Sequence, residues 1–378
     1  MKTVLTLFGT RPEIIKLAPV IWELERQRNT WRSLTVSSSQ HTDLLRPFIN
    51  ELKISLDHDL AIMTPGQTPN AVLARVVEAL EPLLLEEKPD LVLVQGDTTT
   101  ALAGALAAFH ARIPVGHVEA GLRTRNRHSP FPEEINRRLI TQLADIHFAA
   151  TPRNVKTLLA DGVKKECIAL TGNPVVDTLQ NILARSPVSA SLSDLIDSLT
   201  GNRLIVLTTH RRENFGDIMS SHLRTFRRFV ECHQDIDLVF PVHPNPSVRA
   251  IVDAEFIGAE RIHCIEPLEY ADFLHLLSRA WLVASDSGGI QEEIPSLGKP
   301  LLVLRDTTER PEVLDHGFGR LVGHSGERLE EMLEDALADE TWFASTRATE
   351  NPFGRGDAGK QIVSAITGLM NGVEESAA

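Results

Sequence analysis

The sequence is poor in the features that mark secreted, metal-binding or membrane proteins. Its three cysteines are odd in number and scattered, with no CxxC or Cys/His spacing, so neither a disulfide framework nor a zinc site is indicated. No segment approaches the ~20 apolar residues of a membrane-spanning helix. Arg11, Glu13 and Lys16 directly follow the short apolar run at the start, which argues against a signal peptide. We therefore expect a cytoplasmic protein that does not enter a membrane.

Positive charge is less abundant than negative charge. The formal net charge is −13 at pH 7, and sequence-independent affinity for nucleic acid comes from lysine and arginine, so nucleic acid is not expected as a main partner. Neither a GxGxxG motif at the first turn nor a Walker GxxxxGK[ST] motif is present, which argues against a bound dinucleotide and against ATP hydrolysis. No His-x-His or HExxH spacing supports a metal site.

The composition is otherwise that of a globular protein, with 42% hydrophobic and 24% charged residues, and 378 residues leave room for about two domains. Apolar and β-branched runs alternate with segments of helical period in both halves of the chain. This alternation predicts an α/β fold with two doubly wound parallel sheets. The serine-rich segment 186–202, with Pro187 and Gly201, is the best candidate for a linker. The predicted strands include 3–9, 33–39, 91–95, 113–118, 146–150, 168–171, 204–208, 238–242 and 262–265.

Charged residues follow several predicted strands of the first half. Arg11 stands at the N-terminus of the first helix, where free N–H groups and the helix dipole attract anions. Asp97 follows the turn glycine of VQGDTTT, and Glu119 follows a β-branched run and opens a stretch that also contains Glu133. Open α/β sheets bind ligands at the carboxyl ends of their strands. A structural turn, an N-cap aspartate and a solvated charge cluster are the alternative interpretations.

The second half contains one loop typical of phosphate binding. In SDSGGIQEE, Asp286, Ser287, Gly288 and Gly289 follow an apolar run and open a helix, so backbone N–H groups could hold a diphosphate. A plain tight turn is the alternative. His210 and His243 each end a predicted strand, and two histidines at equivalent edges are harder to assign to structure alone than one.

From these residues we expect the two domains to meet along the carboxyl ends of their sheets, with the active site in the cleft between them. Carboxylates facing cationic groups and a diphosphate loop suit proton transfer beside a phosphorylated leaving group. This reasoning does not distinguish a glycosyltransferase from an epimerase or a hydrolase. One wall is expected to carry Arg11, Lys16, Asp97, Glu119 and Glu133, and the other His210, His243, the Ser-Gly-Gly turn, Glu293 and Arg310.

The ordered set of motifs resembles the bacterial non-hydrolysing UDP-N-acetylglucosamine 2-epimerases over about residues 3 to 368. The motifs are FGTRPEIIKLAP, QGDTTT, GHVEAGLRT, SPFPEEINR, HRRENFG, PVHPNP, DSGGIQEE, SLGKPLLVLRDTTERPE and NPFGRGDA. The resemblance implies a GT-B-like fold of two Rossmann-like domains, placed here at 1–172 and 173–356. The last helix, at about 357–372, returns to the first domain. It further implies a homodimer acting on UDP-N-acetylglucosamine in cell-surface polysaccharide biosynthesis, without a cofactor.

The implied reaction converts UDP-N-acetylglucosamine to UDP-N-acetylmannosamine through elimination of UDP and its re-addition. Position by position, the resemblance implies proton transfer and leaving-group handling by four residues: Asp97, Glu119, Glu133 and His210. It implies substrate binding by Arg11, Lys16, His243, Leu268, Phe273, Ser287, Gly288, Gly289, Glu293 and Arg310, with Glu293 on the ribose hydroxyls and Leu268 and Phe273 near uracil. The sequence does not assign which carboxylate removes the proton and which returns it.

Bacterial members of the family are often activated by a second UDP-N-acetylglucosamine, and Gln40, His41 and Arg211 fall in the matching motifs. The sequence departs from that pattern at Asp43, where glutamine or glutamate is common, and in TPGQTPN, which lacks an arginine. A 2-epimerase of another UDP-2-acetamido sugar, such as a diacetamido uronate, is the nearest alternative. It would need an extra cation, which Arg125 or Arg127 could supply. A GT-B glycosyltransferase is a further alternative.

Overall fold

The computed structural model describes residues 1–39, 42–64, 66–124, 126–199, 201–211 and 214–377, with the backbone alone for 42–44 and 371–377. The chain forms two compact units. Unit 1 comprises Met1–Thr178 and Phe353–Ala378, and unit 2 comprises Leu179–Pro352.

Unit 1 alternates strands and helices along its length, as the periodicity predicts. Its elements are β1 (Lys2–Phe8), α1 (Arg11–Arg26), β2 (Trp31–Ser37), α2 (Thr42–Glu51), β3 (His58–Asp59), α3 (Pro69–Glu87), β4 (Leu91–Gln95), α4 (Thr99–His110), β5 (Val115–Ala120), α5 (Glu133–Leu143), β6 (Ile146–Ala149), α6 (Pro152–Ala160), β7 (Ile168–Leu170) and α7 (Val175–Arg185), which continues into unit 2.

The sheet of unit 1 is parallel, in the order β3-β2-β1-β4-β5-β6-β7. The strand order reverses between β1 and β4, which is where doubly wound sheets bind ligands. β4 is buried along its whole length, as expected for a parallel strand covered by helices on both faces. α4 packs closely on this sheet, because a Cβ at Gly104 would lie 2.4 Å from Leu7 Cδ2.

Unit 2 repeats this architecture. Its elements are α8 (Ala190–Ser198), β8 (Arg203–Thr208), α9 (Asp217–Cys232), β9 (Ile236–Pro241), α10 (Pro246–Phe256), β10 (Ile262–Ile265), α11 (Tyr270–Arg279), β11 (Leu282–Ser285), α12 (Gly288–Leu297), β12 (Leu301–Val303), α13 (Glu312–Asp315), β13 (Gly319–Leu321), α14 (Gly326–Ala338) and α15 (Glu340–Ala348). The sheet is smaller and again parallel, in the order β10-β9-β8-β11-β12-β13, and its strand order reverses between β8 and β11.

The last helix, α16 (Ala358–Ala377), packs on α1 within unit 1. Its N-terminus is capped by Asp177, whose carboxylate accepts hydrogen bonds from the N–H groups of Ala358 at 3.1 Å and Gly359 at 3.0 Å. A Cβ at Gly359 would lie 2.5 Å from the carbonyl oxygen of Pro19, so glycine permits the close approach of the two helices. The predicted tail helix is therefore present.

One element of local structure was not predicted. The serine-rich segment 186–202, the best candidate for a linker in the sequence, contains the helix α8. Ser189 caps that helix by accepting a hydrogen bond from Leu192 N–H at 3.3 Å, and Leu192 is buried. Serine was thus a helix start signal here, which its abundance in the segment concealed. In the described part of the chain, no helix is long and apolar enough to span a bilayer.

Candidate functional site

The site of unit 1 starts at the turn between β1 and α1. A Cβ at Gly9 would lie 2.3 Å from Ser38 Oγ and 2.6 Å from Thr100 Oγ1, so a side chain at this turn would have to displace both hydroxyls. Glu13, which is completely buried, accepts hydrogen bonds from Gly9 N–H at 3.0 Å and from the hydroxyls of Thr10 and Thr98, each at 2.7 Å. Burial raises the pKa of Glu13 to about 7, although these hydrogen bonds act in the opposite direction. Glu13 therefore joins the turn after β1 to the turn after β4.

Arg11 is the first residue of α1, the helix N-terminus at which the sequence placed it, and its side chain is exposed. Its guanidinium carbon lies 5.1 Å from the centre of the Phe48 ring, a cation–π distance. The contact stabilises one position of a long cationic side chain at the helix end, where an anion would be attracted.

Glu119 has an unusual backbone conformation. It lies in β5 with a φ of 65°, and the register between β5 and β6 shifts between Val118 and Ala120, so Glu119 is the extra residue of a β-bulge. Such a φ is uncommon for a residue other than glycine, and strained positions of this kind cluster at functional sites. The sequence predicted a carboxylate at the end of this strand but not the bulge.

The Glu119 carboxylate is held by three side chains. Lys16 Nζ donates to Oε1, Gln95 Nε2 donates to Oε2, and Asn173 Nδ2 lies 3.4 Å from Oε1. The side chains of Lys16 and Glu119 are only 8% and 11% exposed, so solvent screens their ion pair weakly. Two predicted site residues are thus in direct contact, and the carboxylate has a fixed position, as proton transfer requires.

Asp97 follows β4 and is tied to α5. Arg137 Nε donates to Asp97 Oδ2 at 2.9 Å, and Asn136 Nδ2 donates to the Asp97 carbonyl oxygen at 2.9 Å. The turn before Asp97 is held by His117, whose Nε2–H donates to the Gly96 carbonyl oxygen at 2.7 Å. Burial lowers the pKa of His117 to about 3, so the ring is neutral near pH 7.

Glu133 is the first residue of α5 and is half-buried. It lines a cavity of about 500 Å³ in unit 1, together with Thr10, Thr98 and Asn136. The adjacent Glu134 is fully buried. Burial would raise its pKa, but hydrogen bonds from the Thr124 N–H group and from arginine side chains of α5 outweigh burial and hold the pKa below its usual value. Glu133 lines the cavity, whereas the carboxylate of Glu134 is taken up by hydrogen bonds within unit 1.

In unit 2 the predicted phosphate loop has the expected geometry. Ser287 is the residue before α12, and Gly288 and Gly289 are its first two residues, so backbone N–H groups lie at the start of a helix. A Cβ at Gly288 would lie 2.7 Å from Arg310 Nη1, whereas a Cβ at Gly289 would find its nearest atom, Ser287 Oγ, at 3.8 Å. Gly288 thus makes room for Arg310, and Gly289 leaves space above the helix end.

The other predicted binding residues of unit 2 lie on or beside α11 and α12. Glu293 is nearly buried and accepts a hydrogen bond from Tyr270 Oη at 2.7 Å. Leu268 lies just before α11 and Phe273 within it, both half-buried. Arg310 Nη1 donates to Glu309 Oε2 at 3.1 Å. Their proposed contacts with uracil, ribose and phosphate stay predictions.

The two predicted histidines come together. The rings of His210 and His243 are stacked, with centroids 6.1 Å apart and an interplanar angle of 17°. Burial, aided by the neighbouring His210, lowers the pKa of His243. Asp286 lies beneath the loop that carries His210 and Arg211, and accepts hydrogen bonds from both backbone N–H groups. The two histidines, each predicted to follow a strand, therefore lie side by side, and their role at the site stays a prediction.

Four of the predicted residues lie outside the described part of the chain or on its exposed surface. Gln40, His41 and Arg125 lie outside the described residues. Arg127 is exposed. In the described segments, no group of three or more His, Cys, Asp or Glu side chains could hold a metal ion.

The residues that hold the turns and carboxylates of the site in place were not predicted from the sequence. Glu13 was used only as a charged residue that argues against a signal peptide, and Arg137 was not singled out. The spacing of Glu13 after the glycine turn, together with the threonines of QGDTTT, was an available signal. A buried carboxylate needs such donors to offset its desolvation.

A sequence profile described as UDP-N-acetylglucosamine 2-epimerase matches residues 23–367. The chain belongs to this family. It is 44% identical to the UDP-N-acetylglucosamine 2-epimerase of Escherichia coli (strain K12) over 371 residues, which are 96% of this chain and 98% of that protein. It is 42% identical to the enzyme of the same name from Bacillus subtilis (strain 168) over 363 residues, 96% of this chain and 94% of that protein. The family resemblance predicted from the motifs is confirmed.

Solved structures of UDP-N-acetylglucosamine 2-epimerases have the same fold. The structure from Neisseria meningitidis, bound to UDP-GlcNAc, matches with a TM-score of 0.89 and 40% identity, over 97% of this chain and 99% of that chain. The structure from Methanocaldococcus jannaschii, in complex with UDP-GlcNAc and UDP, matches with a TM-score of 0.81 and 34% identity, over 97% and 99% of the two chains. The predicted α/β fold with two doubly wound parallel sheets is confirmed.

Proposed function

We propose that this chain interconverts UDP-N-acetylglucosamine and UDP-N-acetylmannosamine by inverting C2 of the sugar. Membership of the 2-epimerase family supports the reaction, as do the names of the E. coli and B. subtilis relatives. The observation that carries the proposal is the Glu119 carboxylate, held on a strained β-bulge between Lys16 and Gln95 at the carboxyl end of the unit 1 sheet. A segment with a structural role alone would not need a nearly buried carboxylate at a residue with a strained, positive φ.

The proposed chemistry is elimination followed by addition. A carboxylate removes the proton from C2, the electron pair of the C–H bond forms the C1=C2 double bond, and the C1–O bond breaks as UDP leaves. The resulting 2-acetamidoglucal then accepts a proton at C2 on the opposite face, and a phosphate oxygen of UDP bonds to C1. No net oxidation occurs, so the step needs no redox partner. Two acid–base groups on opposite faces of the sugar are required.

The described geometry suggests different roles for the unit 1 carboxylates. Glu119 has a cationic neighbour, Lys16, which would stabilise the ionised form that accepts a proton. Glu133 lines the cavity at the start of α5. Asp97 is bound by Arg137 Nε at 2.9 Å, which orients it firmly. We propose Glu119 and Glu133 for proton transfer, with Asp97 assisting in the departure of UDP.

Unit 2 is proposed to bind the nucleotide. Backbone N–H groups at Ser287, Gly288 and Gly289 are suited to a diphosphate, because the start of α12 adds the positive end of the helix dipole. His210, stacked on His243, is proposed to stabilise the negative charge of the departing UDP. Arg310, Glu293, Leu268 and Phe273 are proposed to contact the rest of the nucleotide, and Arg11 the anionic end of the sugar phosphate.

We further propose a cytoplasmic homodimer that supplies UDP-N-acetylmannosamine for a cell-surface polysaccharide. The three cysteines are free, which suits a reducing compartment. The parts proposed for Gln40, His41 and Arg211 in activation by a second substrate molecule belong to the same proposal. Size measurement in solution tests the dimer, and the response of the initial rate to added UDP-N-acetylglucosamine tests the activation.

The reaction is tested by incubating the protein with UDP-N-acetylglucosamine in deuterated water and following the sugar C2 signal by proton NMR. The proposal predicts loss of the C2 proton signal together with the appearance of UDP-N-acetylmannosamine. Release of free N-acetylmannosamine and UDP would instead indicate a hydrolysing epimerase. An unchanged C2 signal with tight UDP binding would contradict the proposal and favour a glycosyltransferase or a sensor.

A further inference from the structure

The loop after β8 is held by a single carboxylate. Asp286 is completely buried and accepts hydrogen bonds from Thr209 Oγ1 at 2.8 Å, from His210 N–H at 3.1 Å, and from Arg211 N–H at 3.0 Å. Residues 209–211 have no regular secondary structure. Their conformation therefore depends on these contacts rather than on a helix or strand ladder.

A fourth donor ties the same carboxylate to the residue that follows β12. Asn214, which is 1% exposed, donates from Nδ2 to Asp286 Oδ2 at 2.9 Å and to the Leu304 carbonyl oxygen at 3.2 Å. Asp286 thus receives donors from both ends of the loop. Networks of this kind in a buried setting fix one arrangement, because any displacement leaves a polar group unpaired.

The carboxylate also faces the imidazole that the loop carries. His210 Nδ1 lies 3.4 Å from Asp286 Oδ1, and the His210 side chain is 44% exposed, whereas Asp286 is not exposed at all. The ring is supported from one side by Asp286 and stacks on His243. An orienting carboxylate behind an imidazole is the usual means of fixing which ring nitrogen faces a ligand.

Asp286 stands at the point where the unit 2 sheet reverses its strand order. It directly follows β11, whose neighbour is β8, and directly precedes Ser287 and the start of α12. One residue therefore connects the backbone of the proposed diphosphate turn with the loop that carries His210. A shift of Asp286 would displace the histidine relative to that turn.

We propose that Asp286 is a positioning residue that acts through His210, holding its ring and backbone in register with the diphosphate turn. This inference rests on the proposed function, in which His210 assists the departure of UDP. Replacing Asp286 by asparagine keeps the shape but turns one acceptor oxygen into an N–H₂ donor facing other donors. The loop must then move, and the histidine with it.

The test is a double-mutant cycle of Asp286→Asn and His210→Asn, with kcat, KM and the Kd of UDP measured for each protein. We expect D286N to lower kcat about 100-fold with UDP affinity within about threefold of the parent. In the H210N background the same substitution should lower kcat by less than about threefold, because its effect passes through the missing ring. An equal loss of kcat in both backgrounds would overturn the proposal.

Asp237→Asn is the matched control. Asp237 is also a buried aspartate of unit 2, and it accepts hydrogen bonds from Asn202 Nδ2 at 2.6 Å and lies 3.2 Å from His263 Nε2, away from the His210 loop. D237N should lower thermal stability while kcat stays within about twofold. A fall in kcat equal to that of D286N would show that buried charge in general, and not Asp286 in particular, limits the reaction.

A spectroscopic signature makes the test independent of turnover. With ¹⁵N-labelled histidine, the His210 ring signals, identified by their loss in H210N, should move in D286N and stay unchanged in D237N. Unmoved signals would overturn the positioning role. If the parent protein shows no C2 exchange, the proposed function fails while this readout still decides the role of Asp286. If D286N does not fold, Thr209→Val takes its place. This variant should lower kcat about threefold to tenfold in the protein that retains His210, and should have no such effect in H210N.

Discussion

The two units reverse their strand order at equivalent places, and each places a completely buried carboxylate there. In unit 1, Glu13 joins the turns after β1 and β4 through Gly9, Thr10 and Thr98. In unit 2, Asp286 joins the loop after β8 to the turn after β11. In both sheets, one buried carboxylate therefore connects the segments that follow two neighbouring strands.

The functional groups near these two buried carboxylates differ between the units. Unit 1 presents side chains that can exchange protons, with Glu119 and Lys16 paired and nearly buried. Unit 2 presents backbone N–H groups at Ser287–Gly289 and a partly exposed histidine. The residues at the switch point of a doubly wound sheet thus decide whether it presents groups for proton transfer or groups for ligand binding. We expect substitutions in the two units to separate turnover from binding.

Glu119→Gln should have the largest effect. It removes the carboxylate proposed for proton transfer but keeps a side chain of the same shape between Lys16 and Gln95, so kcat should fall by about 1,000-fold or more while the Kd of UDP changes less than about threefold. Steady-state rates of UDP-N-acetylmannosamine formation and calorimetric titration with UDP measure the two quantities. A parallel loss of both would contradict the assigned role.

Gly289→Ala should affect binding instead. The added methyl group finds its nearest protein atom at 3.8 Å, so the fold accommodates it, but it enters the space proposed for the diphosphate. The Kd of UDP should rise about 10- to 100-fold. Gly288→Ala is the comparison, because its methyl group would meet Arg310 Nη1 at 2.7 Å and should also disturb Arg310. Unchanged UDP affinity in G289A would remove the diphosphate from this turn.

Glu13→Gln should change the pH dependence of stability. The pKa of Glu13 rises from 4.5 to about 7 because the carboxyl is buried. The folded state therefore binds the extra proton between these values, and stability falls as pH rises through about 7. The shift corresponds to about 3 kcal/mol, as an order of magnitude.

The glutamine variant lacks this titration. Urea unfolding at a series of pH values should show that E13Q gains relative stability as pH rises. The buried histidines, such as His117 and His147 with pKa values lowered by burial, add an opposite slope that is common to both proteins and cancels in the difference. Identical pH profiles would mean that Glu13 is not held as a neutral acid.

The sequence was sufficient for elements whose signal is local. The β4 run and its turn at Asp97 were predicted with correct strand bounds, because four apolar residues followed by a polar residue and a glycine have few alternative structures. The start of α12 was visible in the glycines of DSGGIQEE. The helix α8 was not predicted within segment 186–202, because serine signals both linkers and helix starts.

The residues that set the geometry were not predictable from the sequence, because their roles depend on distant partners. The bulge at Glu119 exists only in relation to the register of β6. Arg137 engages Asp97 across 40 positions of sequence, and Asp286 engages the His210 loop across more than 70. A carboxylate that binds a ligand and one that binds the backbone look alike until the fold brings their donors to them.

The most direct test of this division of roles is solvent deuterium exchange at C2 of UDP-N-acetylglucosamine, measured for E119Q and G289A at saturating substrate. If Glu119 transfers the proton and Gly289 lies in the diphosphate turn, E119Q shows no exchange although it is saturated, whereas G289A exchanges at a rate within about threefold of the parent once saturation is reached. Exchange by E119Q at the parental rate would rule out Glu119 as a proton-transfer group.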